Sequence, residues 1–348
     1  MKISIGCNLQ SGPFGGGNLL NRALVDHFIK LGHEVQFDLS SRDIDLIILV
    51  DPRTNLRSIS FGDREILKYL LLKNSKSLVI QVLHECDERK GTKGLNKRLA
   101  WANNIADHTV FISHWQHQLF LSQGFIFNND SVIKNGSDDN VFRWDGTPKW
   151  SGHGPLKLVT HHWSNNWMKG FDIYEKLDMM LSNNKWHDRI KFTYIGNIPE
   201  GFEFRNSQHI EPLAGEDLAL ELSNHHAYVT GSINEPAGLH HIEGALSGLP
   251  ILYRDSGALP EYCAGFGESF SGQDDFKAAL ERLILNYKHW SGKLLSYPYC
   301  FTKMCNDYQI LIDNMMEDYE TLISKRERSL SMIWKIKTLL GITPKFTA

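Results

Sequence analysis

Two glutamates, Glu235 and Glu243, bracket the segment Glu235-Pro236-Ala237-Gly238-Leu239-His240-His241-Ile242-Glu243. Proline sits well just inside a helix start, where its missing N–H is not needed, so the spacing predicts a helix beginning near Pro236. The N-terminus of such a helix offers free backbone N–H groups and a positive dipole end, which suits a phosphate. An i, i+8 pair on a helix is separated by up to ~12 Å along the axis. Glycoside hydrolysis needs its two carboxyl groups only about 5–9.5 Å apart across one bond. The pair therefore fits an extended ligand better than acid/base work on one atom. Glu235 would serve one end, Glu243 a hydroxyl-rich group, and the helix start a diphosphate between them. Taken alone, the same pair also reads as two solvated glutamates on a surface helix.

Other residues offer chemistry with less specific patterns. His84 ends an apolar run and is followed by Glu85, Asp87 and Glu88. A lone histidine there is as readily a satisfied strand-end residue as a catalytic one. The pairs His161-His162 and His240-His241 invite a metal, but adjacent helical residues point about 100° apart and do not readily share one ion. Asp138-Asp139 reads as a turn. The loop Gly12-Pro13-Phe14-Gly15-Gly16-Gly17 is not the dinucleotide fingerprint, because Pro13 and Phe14 break its spacing, and no G-K-[ST] phosphate loop occurs.

These residues need elements to hold them, and strand and helix signals alternate along the chain. Strands are expected at 2–7, 33–39, 45–50, 77–83, 108–113 and 131–134, with helices at 18–32, 63–72, 95–106 and from 115. A stretch without period, 142–155, reads as a linker. Alternation then restarts with strands at 156–162, 192–196, 228–233 and 250–255, and helices at 169–182, 216–224 and 274–289; 306–340 is mostly helical. Two successive alternating runs imply an α/β protein with two Rossmann-like, doubly wound parallel sheets, which bind ligands at the carboxyl ends of their strands. The expected division is 1–150, 151–305 and a helical 306–348 crossing back to the first domain.

Bulk properties exclude several classes. The chain has 348 residues, too many for one ordinary core, and a net charge of −3, which gives no basic field for nucleic acid. Its five cysteines are scattered without CxxC pairing, which argues against a zinc site or disulfide framework and for a reducing, cytoplasmic compartment. The first apolar run is too short for a signal peptide and no run reaches the ~20 residues of a membrane span.

The segment from Glu235 to Gly244 resembles the E-x7-E stretch of retaining glycosyltransferases with the GT-B fold, especially glycosyltransferase family 4, whose pattern is Glu-Pro-Phe-Gly-Leu-x-x-x-Glu-Ala. The likeness extends to the Gly257-Ala258-Leu259-Pro260-Glu261 loop, the glycine-rich loop, His84, the segment Val132-Ile133-Lys134-Asn135-Gly136-Ser137-Asp138 and the Lys169-Gly170 step. It implies two Rossmann-like domains facing across a cleft and transfer of a sugar from a nucleotide-diphosphate donor to a glycan or lipid-linked acceptor, in polysaccharide biosynthesis. It also implies that no cofactor or metal is needed. By the resemblance, Glu235, His84 and Lys169 would form the catalytic set. Glu235 would hold the transferred sugar's hydroxyls, and Lys169 would place a charge on the diphosphate. Glu243 would hold the ribose. Gly238 and Leu239 would offer amides to the diphosphate, and Gly16 and Gly17 would let their loop approach closely. Asn197 falls in the 197–204 loop, which with 211–215 would read the base.

The family carries an arginine five residues before the lysine, where this chain has Ser164. Asn165, Asn166, Arg254 or Arg89 could substitute. The departure keeps open a weak or inactive enzyme and a non-catalytic partner of a transferase; a nucleotide-sugar epimerase or phosphorylase could share the same fold. The tail, 325–345, interleaves basic residues with Ile333, Trp334, Ile336, Leu339 and Leu340. It reads either as a helix packed onto the first domain or as a peripheral membrane contact.

Overall fold

The structure is a computed structural model that describes residues 1–10, 12 and 15–347. Pro13 and Phe14 of the glycine-rich loop therefore lie outside the described residues. The chain divides into two compact units. The first holds Met1–Gln10, Gly17–Lys134 and Met304–Ala348; the second holds Asn135–Lys303, and Gly16 groups with it.

In the first unit six parallel strands form one sheet: β1 (Lys2–Ile5), β2 (Glu34–Gln36), β3 (Leu46–Leu49), β4 (Leu78–Leu83), β5 (His108–Phe111) and β6 (Asp130–Val132), in the order β2-β1-β3-β4-β5-β6. The central strands β3 (LIIL) and β4 (LVIQVL) are buried along their whole length, as expected of a sheet covered on both faces. Local signals set the helices. The Gly62 amide donates to the Glu65 carboxylate at 3.0 Å to open the helix Asp63–Leu72. Ser113 Oγ accepts from the Gln116 amide at 3.2 Å to cap His114–Ser122.

The last helices, Tyr319–Ser329 and Met332–Leu339, pack on this same unit. Arg326 pairs with the buried Asp107 and donates to the Ser77 and Ser75 carbonyls at 2.9 and 2.7 Å. Trp334 enters the core beside Ile44, Phe61, Ile66 and Val79.

The second unit repeats the architecture with β7 (Leu156–His162), β8 (Ile190–Gly196), β9 (Gln208–Ile210), β10 (Ala227–Thr230), β11 (Ile251–Arg254) and β12 (Gly267–Phe270), ordered β12-β11-β10-β7-β8-β9. This is the Rossmann order, whose ligand crevice opens where the winding reverses, between β7 and β10. An aromatic core of Phe171, Tyr174, Phe192, Tyr194, Phe270 and Phe276 holds the sheet against its helices.

Several expected boundaries move. The second unit begins at Asn135 instead of 151, because 135–150 bonds into it. The Asn135 amide donates to the Tyr262 hydroxyl at 2.9 Å, its side chain donates to the Ala237 carbonyl at 3.1 Å, and Ser137 bridges to Cys300. The edge strands β9 and β12 were not anticipated: the first is three residues long and partly exposed, and the second only half buried. The helix expected from Pro236 starts at His240 and ends at Leu246.

Candidate active site at the β7–β10 crevice

β10 pairs with β7 only at Ala227 with Leu158 and Tyr228 with Val159. Beyond that point the strands part. His161 and His162 end β7, while Gly231, Ser232 and the loop to Glu235 leave β10. Most of the residues singled out on chemical grounds converge here.

Lys169 is brought in by a backbone crossing. After β7 the chain makes a short turn, Trp167–Lys169, capped by Asn166 Oδ1, which accepts from the Met168 amide at 2.8 Å. Gly170 follows with φ +102°, and a Cβ on it would stand 2.4 Å from Gly231 C and Cα. Only glycine permits that approach. The crossing is pinned by Ile233 N–H donating to the Met168 carbonyl at 2.8 Å and by Gly231 N–H donating to the Tyr174 hydroxyl at 3.2 Å. Lys169 Nζ then lies 2.8 Å from Glu235 Oε2, with the two side chains only 14% and 7% exposed.

Glu235 is held by the following loop. Asn234 takes φ 50°, its amide donates to Ser256 Oγ at 2.9 Å, and the Ala258 amide donates to the Glu235 carbonyl at 2.8 Å. Gly257 (φ +62°) lies so close that a Cβ would be 2.4 Å from Glu235 N. This bracing keeps 235–239 irregular and delays the helix to His240, so Glu235 and Glu243 are not two positions on one helix. A Cβ on Gly238 would meet the His240 ring at 2.5 Å and the Glu235 carboxyl carbon at 3.2 Å, which explains glycine there. Among the described residues, the amides of Gly238 and Leu239 have no hydrogen-bond acceptor. Gly244, where alanine is the family's residue, lies against the Tyr228 ring, which a Cβ would meet at 2.5 Å.

Glu243 is buried and already occupied on both oxygens. His161 Nε2–H donates to Oε2 at 2.6 Å and Ser137 Oγ donates to Oε1 at 3.2 Å. The carboxylate orients the imidazole, whose Nδ1 lies 3.1 Å from the Tyr228 hydroxyl. A carboxylate accepts about four hydrogen bonds, so capacity remains for a ligand hydroxyl.

The two histidine pairs, far apart in sequence, meet. Ring centroids of His162 and His240 are 4.5 Å apart, and those of His240 and His241 4.9 Å. His162 Nε2 meets the Tyr174 hydroxyl at 2.7 Å, and His240 Nε2 meets Thr230 Oγ1 at 2.9 Å. Among the described residues no group of three or more His, Cys, Asp and Glu is arranged to hold a metal ion. Burial drives His240 well below the usual imidazole range, and the neighbouring His162 and His241 add to it. Burial also drives His241, whose ring nitrogens both lack a partner among the described residues, down to about 3.

The remaining expected residues lie elsewhere or do other work. Asn197 Nδ2 donates to the Trp163 carbonyl at 2.6 Å and so braces its loop. Gly16 groups with the second unit, where a Cβ on it would stand 3.0 Å from Leu239 Cγ; Gly17 belongs to the first unit. His84, at the end of β4, also belongs to the first unit. Burial lowers its pKa to about 4 against an opposing pull from Asp51, which leaves a neutral imidazole at pH 7. The acids around it are engaged: Asp87 accepts from the Gly94, Leu95 and Asn96 amides, and Glu85 pairs with Lys90.

Of the candidates to replace the missing arginine, Arg254 is buried and paired with Asp172. Asn166 is spent on its cap, and Arg89 lies in the first unit. Ser164 itself accepts from the Asn166 amide at 3.2 Å. Sequence reasoning missed His161, Ser137 and Tyr228 as partners of this site. The available signal was topological: β7 and β10 are neighbours across the switch point, so the histidines ending β7 had to meet the segment following β10.

No protein-family model matches the chain, and no curated protein matches its sequence. Solved structures do match. HepE from Anabaena in complex with UDP is 12% identical, covers 90% of this chain and 99% of its own, and superposes with a TM-score of 0.66. Sucrose-phosphate synthase from Thermosynechococcus elongatus gives 12%, 91% and 99% with a TM-score of 0.63. The catalytic domain of starch synthase IV from Arabidopsis thaliana, bound to ADP and acarbose, gives 13%, 89% and 79% with a TM-score of 0.59. These neighbours are GT-B glycosyltransferases, and the likeness is one of fold: each protein is α/β, and this chain has two parallel six-stranded sheets.

Proposed function

We propose that this chain is a glycosyltransferase that moves a sugar from a nucleotide-diphosphate donor to a hydroxyl of a glycan or lipid-linked acceptor, with retention at the anomeric carbon. The observation that carries the reading is the Lys169–Glu235 pair, a shielded cation and carboxylate 2.8 Å apart at the switch point of the second sheet. A charged pair is costly to bury and stabilises a fold little by itself. It earns its place if a ligand's charge joins it.

In this reading the C1–O bond to the diphosphate breaks as the acceptor oxygen bonds to C1, and the acceptor hydroxyl's proton passes to the leaving diphosphate oxygen. Lys169 neutralises the charge that develops on the leaving diphosphate, so no metal is required for that role. The amides of Gly238 and Leu239 add donors to it. Glu235 accepts from the sugar's hydroxyls and Glu243, oriented by His161, from the ribose. His84 keeps the role the resemblance gives it, a neutral imidazole offered to a sugar hydroxyl. Asn197 acts indirectly, by fixing the loop expected to read the base.

Thermal shift with UDP, GDP, ADP and CDP tests binding, because a nucleotide that binds the native state raises its melting temperature. Glu235→Ala is expected mainly to lower kcat and Glu243→Ala mainly to raise donor KM. Unchanged kinetics in both, or no shift with any nucleotide, overturns the site. A second reading, a donor-binding protein without transfer, is favoured by Ser164 and by the commitment of Arg254 to Asp172. Calorimetric donor binding with no turnover across an acceptor panel would establish it.

A further inference from the structure

The terminal helix Met332–Leu339 carries apolar side chains on two opposite sides. One face is anchored: Trp334 is buried, its indole N–H donates to the Trp101 carbonyl at 3.0 Å, and Trp101 Nε1–H donates to Thr338 Oγ1 at 3.1 Å. With about 100° per residue, Met332, Ile333, Ile336 and Leu340 fall in a sector roughly 100° wide on the opposite side. They are 69%, 68%, 50% and 67% exposed. Lys335 stands on one flank of the sector and Lys337 on the other. Ile342, also exposed, and Lys345 continue the pattern. From Arg328 to the last residue the chain has four basic residues and no acidic one.

We infer that this face docks on an anionic lipid surface, with the four apolar side chains entering the headgroup boundary and Lys335 and Lys337 meeting lipid phosphates. An isolated exposed leucine needs no explanation, but a contiguous apolar sector on an otherwise anchored helix does. Lysines on both flanks choose the occupant. Twofold pairing of the same face would set lysines against one another with no acid on the segment to answer them, whereas an anionic interface neutralises both. An apolar face bounded by basic side chains is the composition of helices that lie in the interfacial plane. Trp334 and Thr338 hold the helix to the first unit, so docking needs no unfolding. The inference does not rest on the transferase reading.

The test is co-sedimentation of the full chain with phosphatidylcholine vesicles, with and without phosphatidylglycerol, at low and high salt. Recovery in the pellet is expected only with phosphatidylglycerol, and it should fall as salt rises. Ile336→Asp with Leu340→Asp should abolish it. Lys335→Glu with Lys337→Glu should weaken partition by about fivefold or more per charge. The milder pair Ile333→Ser with Ile336→Ser serves if the aspartates disturb folding, which the melting temperature reports. Equal recovery on both vesicle types, or unchanged recovery for the apolar variants, overturns the inference. So does a shift from dimer to monomer in those variants with vesicle recovery unchanged, which would assign the face to a second copy.

Discussion

The carboxyl ends of the two sheets both hold shielded ion pairs but differ in their histidines and in what surrounds them. In the second unit, the ends of β7 and β10 hold buried charge, Lys169 with Glu235 and Glu243 beside His161, next to a row of rings running through His162, His240 and His241. In the first unit, the end of β4 offers a neutral His84, and the strand-end polar groups close on themselves. Arg53 pairs with Asp51 at 2.6 Å, and Gln116 donates to the Glu85 carbonyl at 3.2 Å. In the proposed reading, one sheet end meets the charged donor and the other presents a neutral imidazole. A shared architecture thus carries two electrostatic designs, set by a few side chains after the strands.

If that contrast is functional, substitutions in the second unit should dominate. Lys169→Ala is expected to cause the largest loss, about 10²–10³-fold in kcat, because it removes charge where the leaving group develops it; equal loss of a glycosyl-fluoride hydrolysis that needs no diphosphate would break the assignment. His161→Phe comes next. It deprives Glu243 of its donor and should raise donor KM about 10–100-fold with kcat largely kept, as read from initial rates over a donor series. His84→Asn should lower kcat about tenfold, and the wild-type rate should show no ionisation of His84 near pH 6.5, because its pKa lies at about 4.

The smallest effect is one of stability. His241 has no hydrogen-bond partner for either ring nitrogen among the described residues, so His241→Met should stabilise the fold by about 1 kcal/mol in urea unfolding at pH 7. Its pKa is lowered in the folded chain, so the unfolded chain takes up the proton first as pH falls from about 6.5 towards 3. Wild-type stability should therefore drop across that window, and the methionine variant should drop less.

Much of the fold was legible because buried parallel strands are continuous apolar runs. Leu78–Leu83 and Leu156–His162 stand out in any reading of the chain, and both sheets follow from their alternation with helices. The edges were not legible: Gln208–Ile210 has one partly buried residue and no pattern. The start of the helix after β10 was misread because proline followed by small residues suits a helix entry, whereas tertiary bonds from Ser256 and Ala258 hold the segment irregular. Lys169, Glu235 and Glu243 were found from local motifs. Their partners were not, because the His161–Glu243 bond joins residues on separate elements and only strand order brings them together.

The Gly170–Gly231 crossing has a consequence for what changes in length the chain can tolerate. β7 is locked in register with β8 through His162, paired with Gly196, and Gly170 is locked against Gly231. The segment between them is a ruler fixed at both ends, and the lysine is its last mark. Residues along it can be exchanged, but one inserted or deleted would slide the ammonium off its carboxylate. Drift among related chains should therefore appear here as substitution and never as a gap.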